Sequence, residues 1–189
     1  MPLNPEVLDF VAGISFQPGV PVVVGNEQFL LMRTRIHFRV DIPGSRYSAN
    51  GKMLLTTDRL IFVADRPPLQ NGISFQGYDI PLACVFEEKF NQPIFGANNI
   101  TGKISEPAGM EAMEVGFKIS FNNGGCMTFL QNFFTVLQHA RNTVQNASAV
   151  PSAPIDPSVS DVPYATVVSV DSSDPSMVFV QAYPIQQYG

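Results

Sequence analysis

Residues 114–144 read EVGFKISFNNGGCMTFLQNFFTVLQHARNTV, and the hydrophobic period changes within this stretch. In EVGFKISF (114–121), large apolar side chains occupy alternate positions, while Lys118 and Ser120 fall on the other face, which is typical of a half-buried strand. From Phe129 onward the apolar residues recur at helical spacing, which predicts an amphipathic helix over about 130–144. The NNGG segment between them has the composition of a hairpin turn, so CMTFL (126–130) is predicted to return as a strand.

Strand-like patterns also fill the sequence upstream of this stretch. FLLMRTRIHFRV (29–40) alternates between an apolar and a basic face, and GKMLLTTDRLIFVAD (51–65) indicates two strands around Thr57 and Asp58. The predicted apolar face of 29–40 consists of Leu30, Met32, Thr34, Ile36, Phe38 and Val40. Further strands are predicted near 73–80, 83–90 and 100–105. Many short strands followed by one helix predict a mainly β barrel or sandwich capped by a helix.

Composition limits the function classes. The 45% of hydrophobic residues suffices for a folded core, and a length of 189 residues favours one domain with an appendage. The net charge of −5 argues against a nucleic-acid binder that neutralises phosphates. Two cysteines cannot form a disulfide framework, and no apolar run is long enough to span a bilayer. MPLNPEVLDF (1–10) contains two acids and no base, so we do not expect it to act as a signal peptide. We therefore expect an intracellular protein in a reducing compartment.

The chain divides into three parts by composition. Residues 1–18 are predicted to be an irregular N-terminal segment, and 19–145 the folded domain. Residues 146–189 are rich in Pro and Ser, contain four aspartates and no basic residue, and are predicted to form a largely disordered tail. Two apolar stretches in it, ATVVSV (165–170) and MVFVQAY (177–183), could dock on another surface or pair as strands.

Two segments carry a resemblance to a known family. GKMLLTTDRLIF (51–62) resembles the pattern that opens GRAM domains, and QPIFGANNITGKI (92–104) is similar to the WW-domain-binding protein 2 group. The resemblance covers about 20–144 and implies a pleckstrin-homology-like fold, a bent seven-stranded antiparallel barrel closed by a C-terminal helix. Members of the group are adaptors and transcriptional coactivators whose proline-rich tails bind WW domains through PPxY motifs. They move between cytoplasm and nucleus, so the resemblance implies a cytoplasmic location with access to the nucleus.

The tail departs from that family pattern, since no PPxY occurs in the chain. The nearest matches are VPY at 162–164 and AYP at 182–184, so the candidate protein-binding residues of the tail are Pro163, Tyr164, Tyr183 and Pro184. A WW groove grips a polyproline helix between aromatic walls, and loss of the first proline weakens that contact. We therefore expect protein partners at the tail, but not necessarily WW domains.

The best candidate for a ligand site is the basic face of 29–40, which consists of Arg33, Arg35, His37 and Arg39. Alternate residues of a strand project in one direction, so these side chains could bind a phosphorylated lipid headgroup. The family resemblance supports that interpretation, because GRAM and pleckstrin-homology-like domains often contact phosphoinositides. The alternative is a solvated strand whose charges are matched across the sheet by acidic residues, namely Glu87, Glu88, Glu111 and Glu114.

QPIFGANNITGKI could be a ligand-gripping loop or a barrel corner. Gly96, Asn98 and Asn99 tolerate the positive φ of a sharp turn, so a corner that feeds the next strand is the preferred interpretation, with Ile100, Gly102 and Ile104 facing inward. In the GRAM-like segment, Arg59 is predicted to fix a turn through Asp58 or backbone carbonyls.

No motif indicates catalysis. His37 and His139 are the only histidines, and neither lies in a nucleophile, metal or phosphate-binding motif, so we expect no cofactor and no metal. The sequence predicts a non-catalytic adaptor whose tail presents short Pro/Tyr peptides, with a coactivator-like role implied by the resemblance. The alternatives are a peripheral phosphoinositide-binding module that uses residues 33–39, and a structural subunit that associates through the apolar tail stretches.

Overall fold

The computed structural model describes residues 3–4, 7–8, 20–21, 27–105, 114–124, 126–147, 164–170 and 177–184. In these ranges the strands are β1 (Val7–Leu8), β2 (Val20–Pro21), β3 (Phe29–Ile42), β4 (Ser45–Thr56), β5 (Arg59–Ala64), β6 (Leu69–Gln70), β7 (Ile73–Ser74), β8 (Gly77–Pro81), β9 (Val85–Asn91), β10 (Asn99–Ile104), β11 (Val115–Phe121), β12 (Tyr164–Val170) and β13 (Met177–Pro184). The helix α1 spans Cys126–Ala147, and a 3₁₀ turn spans Leu82–Cys84.

Seven strands form one antiparallel sheet in the order β8-β5-β4-β3-β11-β10-β9. The long strand β3 lies in the middle, with one meander leaving from each of its edges. The sheet curls around a main apolar core to which every one of these strands contributes, and α1 closes that core. This mainly β half-barrel with one C-terminal helix is the predicted pleckstrin-homology-like fold class, which is therefore confirmed.

Phenylalanine rings connect the layers of the core. Phe38 of β3 and Phe62 of β5 stack with ring centroids 4.8 Å apart, and Phe121 of β11 meets Phe129 of α1 at 5.3 Å. Burying a side chain of this size stabilises a fold by about 1.5–3 kcal/mol. The contact between Phe121 and Phe129 therefore fixes the helix onto the end of the barrel.

The helix begins earlier than the sequence pattern suggested. CMTFL does not return as a strand; it forms the first turn of α1. The buried side chains of the helix fall at helical spacing from its first residue, and they are Cys126, Phe129, Leu130, Phe133 and Leu137. Because Cys126 belongs to this stripe and is 3% exposed, the core selects the helical period over the short alternation that a hairpin would need.

A bulge interrupts β3. The pairing of β3 with β4 shifts between Arg33 and Ile36, and Arg35 has φ 56. Before the bulge an odd-numbered residue, Leu31, faces the core, whereas after it Ile36 and the even-numbered residues that follow do so. One extra residue in a strand reverses the faces, so the uniform alternation predicted for 29–40 is wrong in its first half.

The segment QPIFGANNITGKI forms the predicted corner and strand start. Gly96 has φ 103, and β10 begins at Asn99. Ile100, Gly102 and Ile104 are buried as predicted. At Gly102, an added Cβ would lie 2.6 Å from Cζ of Phe117, so glycine is needed there for close packing.

Arg59 has a structural role, although its partners differ from those expected. Its Nε and Nη2 donate to the two carboxylate oxygens of Glu27 at 2.7 and 2.8 Å, and Nη1 donates to Asp79 at 2.6 Å. The hydroxyl of Thr56 donates to Glu27 and accepts the backbone N–H groups of Asp58 and Arg59. The turn between β4 and β5 is therefore tied to Glu27 and β8 through two carboxylates that the sequence did not predict as partners.

The tail contains two strands, at the two apolar stretches that the sequence singled out. β12 and β13 form an antiparallel hairpin, and β13 also pairs with β3. Pairing as strands is one of the two possibilities that the sequence left open for these stretches, and the rest of 148–189 lies outside the described residues. In the ranges the structure describes, α1 is not apolar enough over its length to cross a membrane.

Candidate ligand-binding surface

A groove of about 410 Å³ lies on the outer face of the sheet, beside the connection between β9 and β10. One wall is the loop itself, through Pro93, Phe95, Gly96 and Ala97. The floor and the opposite wall consist of polar side chains from β3, β11, β10 and the turn after β11, namely His37, Lys118, Ser120, Asn99 and Asn122. The groove therefore joins one apolar wall to a polar, cationic floor.

Strand pairing explains why these polar residues meet. Arg39 of β3 is paired with Lys118 of β11, Lys118 with Thr101 of β10, and Thr101 with Lys89 of β9. Cross-strand partners project from the same face of a sheet, so three cations form one row across four strands. The next row contains His37, Ser120, Asn99 and Asn91.

The charges of this row are only partly compensated. Arg39 Nε lies 3.1 Å from a carboxylate oxygen of Asp41, but it is not aligned for a hydrogen bond. No ion pair within 4 Å joins Lys118 or Lys89 to another residue in the part of the chain that the structure describes. Partial burial lowers the pKa of His37 below its ordinary 6.5, and the positive charges of Arg39 and Lys118 lower it further. The surface therefore favours an added negative charge.

The loop that forms the apolar wall exposes two large side chains at its tip. Ile94 is 93% exposed and Phe95 is 91% exposed. Single exposed apolar residues are common on protein surfaces, whereas two adjacent ones at a loop tip leave a hydrophobic patch without cover. Because Phe95 also lines the groove, this patch continues directly into the cationic floor.

The four basic residues predicted as a ligand site do not share one face. Arg33 is 1% exposed and donates to the backbone carbonyl of Gly124. Arg35 is exposed at the bulge, whereas His37 and Arg39 lie on the outer face, next to Lys118. The bulge in β3 causes this division, because it places Arg33 on the same side as the core residue Leu31. A role for His37 and Arg39 in anion binding remains a prediction.

The acidic residues proposed as alternative partners of this basic face bind elsewhere. The ammonium nitrogen of Lys103 forms ion pairs with carboxylate oxygens of Glu87 and Glu114, at 3.0 and 2.9 Å. Glu88 forms an ion pair with Arg141 of α1, at 2.7 Å between Oε2 and Nη2. Glu111 lies outside the described residues. The prediction that these carboxylates neutralise residues 33–39 is therefore wrong for the three that the structure describes.

Sequence reasoning missed Lys118 and the two exposed residues at the loop tip. The alternation of EVGFKISF predicts only that Lys118 faces outward from its strand. Its nearness to His37 and Arg39 depends on the pairing of β11 with β3. Ile94 and Phe95 belong to a segment with an unusual composition, and that was the available signal. Their exposure depends on the loop conformation.

The tail candidates lie at the open end of the hairpin. Tyr164 is paired with Pro184, and Ala165 with Tyr183, while Pro163 lies outside the described residues. The two Pro/Tyr segments are therefore brought together at their backbones, although they are separated by about 20 residues in the sequence.

Other groups in the described ranges give no sign of catalysis. His139 is exposed on α1, both cysteines are unpaired thiols, and no cluster of three or more His, Cys, Asp or Glu residues in those ranges could hold a metal ion. A second, larger groove of about 620 Å³ lies on the other side of His37. It carries both Asp65 and Arg66, so it lacks the uniform charge of the first groove.

The fold and this surface define a mainly β, pleckstrin-homology-like protein with a cationic groove beside an apolar loop. No protein-family model matches the chain. A UPF0664 stress-induced protein of Schizosaccharomyces pombe is 32% identical over 89 residues, which are 47% of this chain and 49% of that protein. The chain thus spans about half the length of this curated relative. Among solved structures, the Vps36 N-terminal PH domain is similar over 67% of this chain and 88% of that one, with 16% identity and a TM-score of 0.48.

Proposed function

We propose that this protein is a non-catalytic binding module that associates with anionic membranes through the groove and the adjoining loop tip. In this function, Lys118, His37 and Arg39 bind a phosphorylated lipid headgroup, and Ile94 and Phe95 enter the apolar layer beneath it. The observation that carries the proposal is the contact of Phe95 with the same groove that Lys118 lines. A ligand with an anionic part and an apolar part, such as a phospholipid, can bind the cationic floor and the apolar loop at the same time.

The charges support a lipid headgroup more than a weak general attraction to a surface. The chain has a net charge of −5, so long-range attraction to an anionic bilayer is unfavourable. A phosphate seated in the groove would meet the ammonium of Lys118 at short range, and Arg39 is the cross-strand neighbour of Lys118. Asn122 and Ser120 add hydrogen-bond donors at the same place.

The loop tip supplies the second contribution. Removing a large apolar side chain from water is worth about 1.5–3 kcal/mol, and both residues are more than nine-tenths exposed. A soluble phosphate compound would leave them in water, whereas a bilayer would cover them. This difference favours a membrane over a soluble anion as the ligand of the surface.

The test is vesicle co-sedimentation of the full chain with phosphatidylcholine alone, with added phosphatidylserine, and with an added phosphoinositide. We expect binding that requires an anionic lipid, and we expect Lys118→Glu to weaken it about ten-fold or more, since each charge near such a surface contributes about 1 kcal/mol. Arg66→Glu is the matched control, because Arg66 is exposed but lines the second groove. Equal binding to all vesicles, or equal loss in both variants, would refute the proposal.

A second function, that of an adaptor with protein partners at the tail, is favoured by the backbone pairing of Tyr164 with Pro184. We infer that this end of the hairpin, where both Pro/Tyr segments meet, serves as one recognition element. The coactivator-like role rests on the family resemblance alone. Affinity capture from cell extract should lose specific partners when Tyr164→Ala and Tyr183→Ala are combined in the full chain. An unchanged set of captured proteins would contradict the adaptor function.

A further inference from the structure

The two edges of β3 are paired differently. One edge pairs with β4 between Phe29 and Ile42. On the other edge, β11 covers residues 36–41 and β13 covers residues 31–33. The bulge at Arg35, with φ 56, lies between the two partners. The central strand of the fold thus has a short edge segment that the meander of the barrel leaves open and the tail occupies.

The attachment of the tail at this segment is limited. Only three residue pairs join β13 to β3, namely Met177 with Arg33, Val178 with Met32, and Phe179 with Leu31. By contrast, seven pairs join β12 to β13. The hairpin is therefore held together by more backbone pairing than holds it to the domain. An unpaired edge is a ready template for another strand, so release of β13 would expose one.

The neighbouring side chains indicate what chemistry the edge accepts. Met32 is 5% exposed and belongs to a second apolar cluster, on the opposite face of the sheet from the main core, together with Phe29, Leu54, Ile61 and Val63. Leu31 belongs to the main core. Both faces of the sheet therefore carry apolar side chains at this point, and the one charged group of residues 31–33, the buried guanidinium of Arg33 on the core side, donates to the carbonyl of Gly124. The resident sequence there, MVFV at 177–180, has no charge.

We propose that residues 31–33 of β3 form a strand-acceptor site for an extended, uncharged and apolar segment of a protein partner, and that β13 occludes this site until the partner displaces it. The segment would add to the sheet by backbone hydrogen bonds, with apolar side chains alternating toward the two clusters. This site is separate from the cationic groove and does not depend on the proposed lipid ligand.

The connection between α1 and β12 explains how β13 can cover residues 31–33 of β3 and still be displaced by a partner. The 16 residues from 148 to 163 join the end of the helix to the start of β12. A tether of this length keeps the hairpin near β3 at an effective concentration of about a millimolar, so a short ladder suffices to close the site. A partner must outcompete that concentration, and weakening the ladder should therefore increase its apparent affinity.

The experiment uses the segment of the chain itself as the probe, a fluorescent peptide PSMVFVQAYP that corresponds to 175–184. It is titrated into the full-length protein and into two double-proline variants. Val178→Pro with Phe179→Pro disrupts the ladder to β3, because proline cannot donate to a strand. Gln181→Pro with Ala182→Pro is the matched control, since it alters the same strand outside that ladder.

We expect the first variant to bind the peptide at least ten-fold more tightly than the wild type, and the control variant to bind it like the wild type. Hydrogen exchange at the amides of 31–33 should accelerate in the first variant and slow again when the peptide is added. Equal affinity in all three proteins would overturn the proposal. Unchanged exchange at 31–33, or faster exchange without peptide binding, would overturn it as well.

A second experiment uses an engineered disulfide between β3 and β13, made by Met32→Cys with Val178→Cys. It compares the oxidised and reduced forms of one protein, so it does not depend on how the proline variants fold. These two positions are direct cross-strand partners. The oxidised protein should not bind the peptide, and reduction of the same sample should restore binding. Binding that persists in the oxidised form would overturn the proposal. A disulfide that links two chains instead of closing within one would also overturn it, because it would identify a second copy's tail as the occupant.

Discussion

Lys118 lies directly opposite Arg39 across the β3–β11 ladder. Like charges at paired positions are unfavourable in a sheet, and among the contacts described the carboxylate of Asp41 is shared by Arg39 and Arg46 and makes no ion pair with Lys118. A local arrangement that opposes stability is expected where function requires it. The pair therefore identifies the part of the sheet where an anion would both bind and relieve repulsion.

The exposed loop tip gives a prediction about membranes that does not involve charge. Ile94→Ser with Phe95→Ser should weaken vesicle binding about 100-fold, because two large apolar side chains no longer enter the bilayer, each worth about 1.5–3 kcal/mol. The thermal midpoint should be unchanged, since both side chains are solvated in the free protein. Leu69→Ser with Ile73→Ser, on the β6–β7 hairpin, is the control and should bind normally. Weaker binding of the control variant together with normal binding of the loop-tip variant would contradict this prediction, because the β6–β7 hairpin would then be the part that enters the bilayer.

The imidazole of His37 should make vesicle binding dependent on pH. Burial and the charges of Arg39 and Lys118 hold its pKa below 6.5, so it is neutral at pH 7, and protonation at lower pH adds a positive charge to the groove. Binding to anionic vesicles should strengthen as the pH falls from 7.5 toward 5. Asp65 and Arg66 line the second groove together with His37, and their opposite charges add no net charge there. A His37→Gln variant should lose the dependence, and an unaltered profile would contradict this assignment.

The lowered pKa of His37 should also affect the stability of the free protein, but lower pH should decrease this stability, whereas it should strengthen vesicle binding. Because the pKa of His37 is lower in the folded protein, the unfolded chain binds more protons between the folded pKa and 6.5. The contribution of His37 to the free energy of unfolding should therefore decrease as the pH falls through that window. Chemical unfolding of the wild type and of His37→Gln at several pH values measures it. A difference between the two proteins that does not change with pH would contradict this linkage.

Arg59 is predicted to be the most sensitive charged residue of the barrel. Arg59→Ala would remove the ion-pair partner of two carboxylates, of which Glu27 is 1% and Asp79 is 8% exposed at the side chain. Removal of one partner of a buried ion pair costs about 3–5 kcal/mol. Burial raises the pKa of Asp79 and the nearby charge of Glu27 adds to this, although hydrogen bonding and the charge of Arg59 oppose it. Adding Glu27→Gln and Asp79→Asn should therefore recover part of the loss in denaturant unfolding; no recovery would mean that packing alone is responsible.

Two glycines provide a matched pair for packing. At Gly51 of β4, a Cβ would lie 2.0 Å from the carbonyl oxygen of Val63, whereas at Gly116 of β11 no atom lies within 4 Å. Gly51→Ala should thus destabilise the protein by about 1–3 kcal/mol or more, because backbone cannot move aside easily. Gly116→Ala should be neutral or stabilising by up to about 1 kcal/mol. Similar unfolding midpoints for the two variants would contradict the packing at Gly51.

Part of the candidate surface was accessible from the sequence and part was not. The alternation of EVGFKISF placed Lys118 outward, and the composition of QPIFGANN marked its loop as unusual. The proposed basic row from Arg33 to Arg39 depended on unbroken alternation, and the bulge at Arg35 divides it. A bulge has no clear signal in a stretch of mixed apolar and basic residues, because either register offers apolar side chains to the core.

The sequence by itself determined the fold class, since the change from period two to helical period around residues 122–125 requires strands followed by one helix that covers them. It also determined the corner at Gly96 and the two apolar strands of the tail, because local backbone freedom and β-branched composition are properties of short segments. Only the tertiary structure decided which cations meet, since Lys118 and Arg39 are 79 residues apart and are joined by strand pairing. It alone also decided that β13 lies on β3, because the choice of a strand's partner depends on which edge the rest of the fold leaves open.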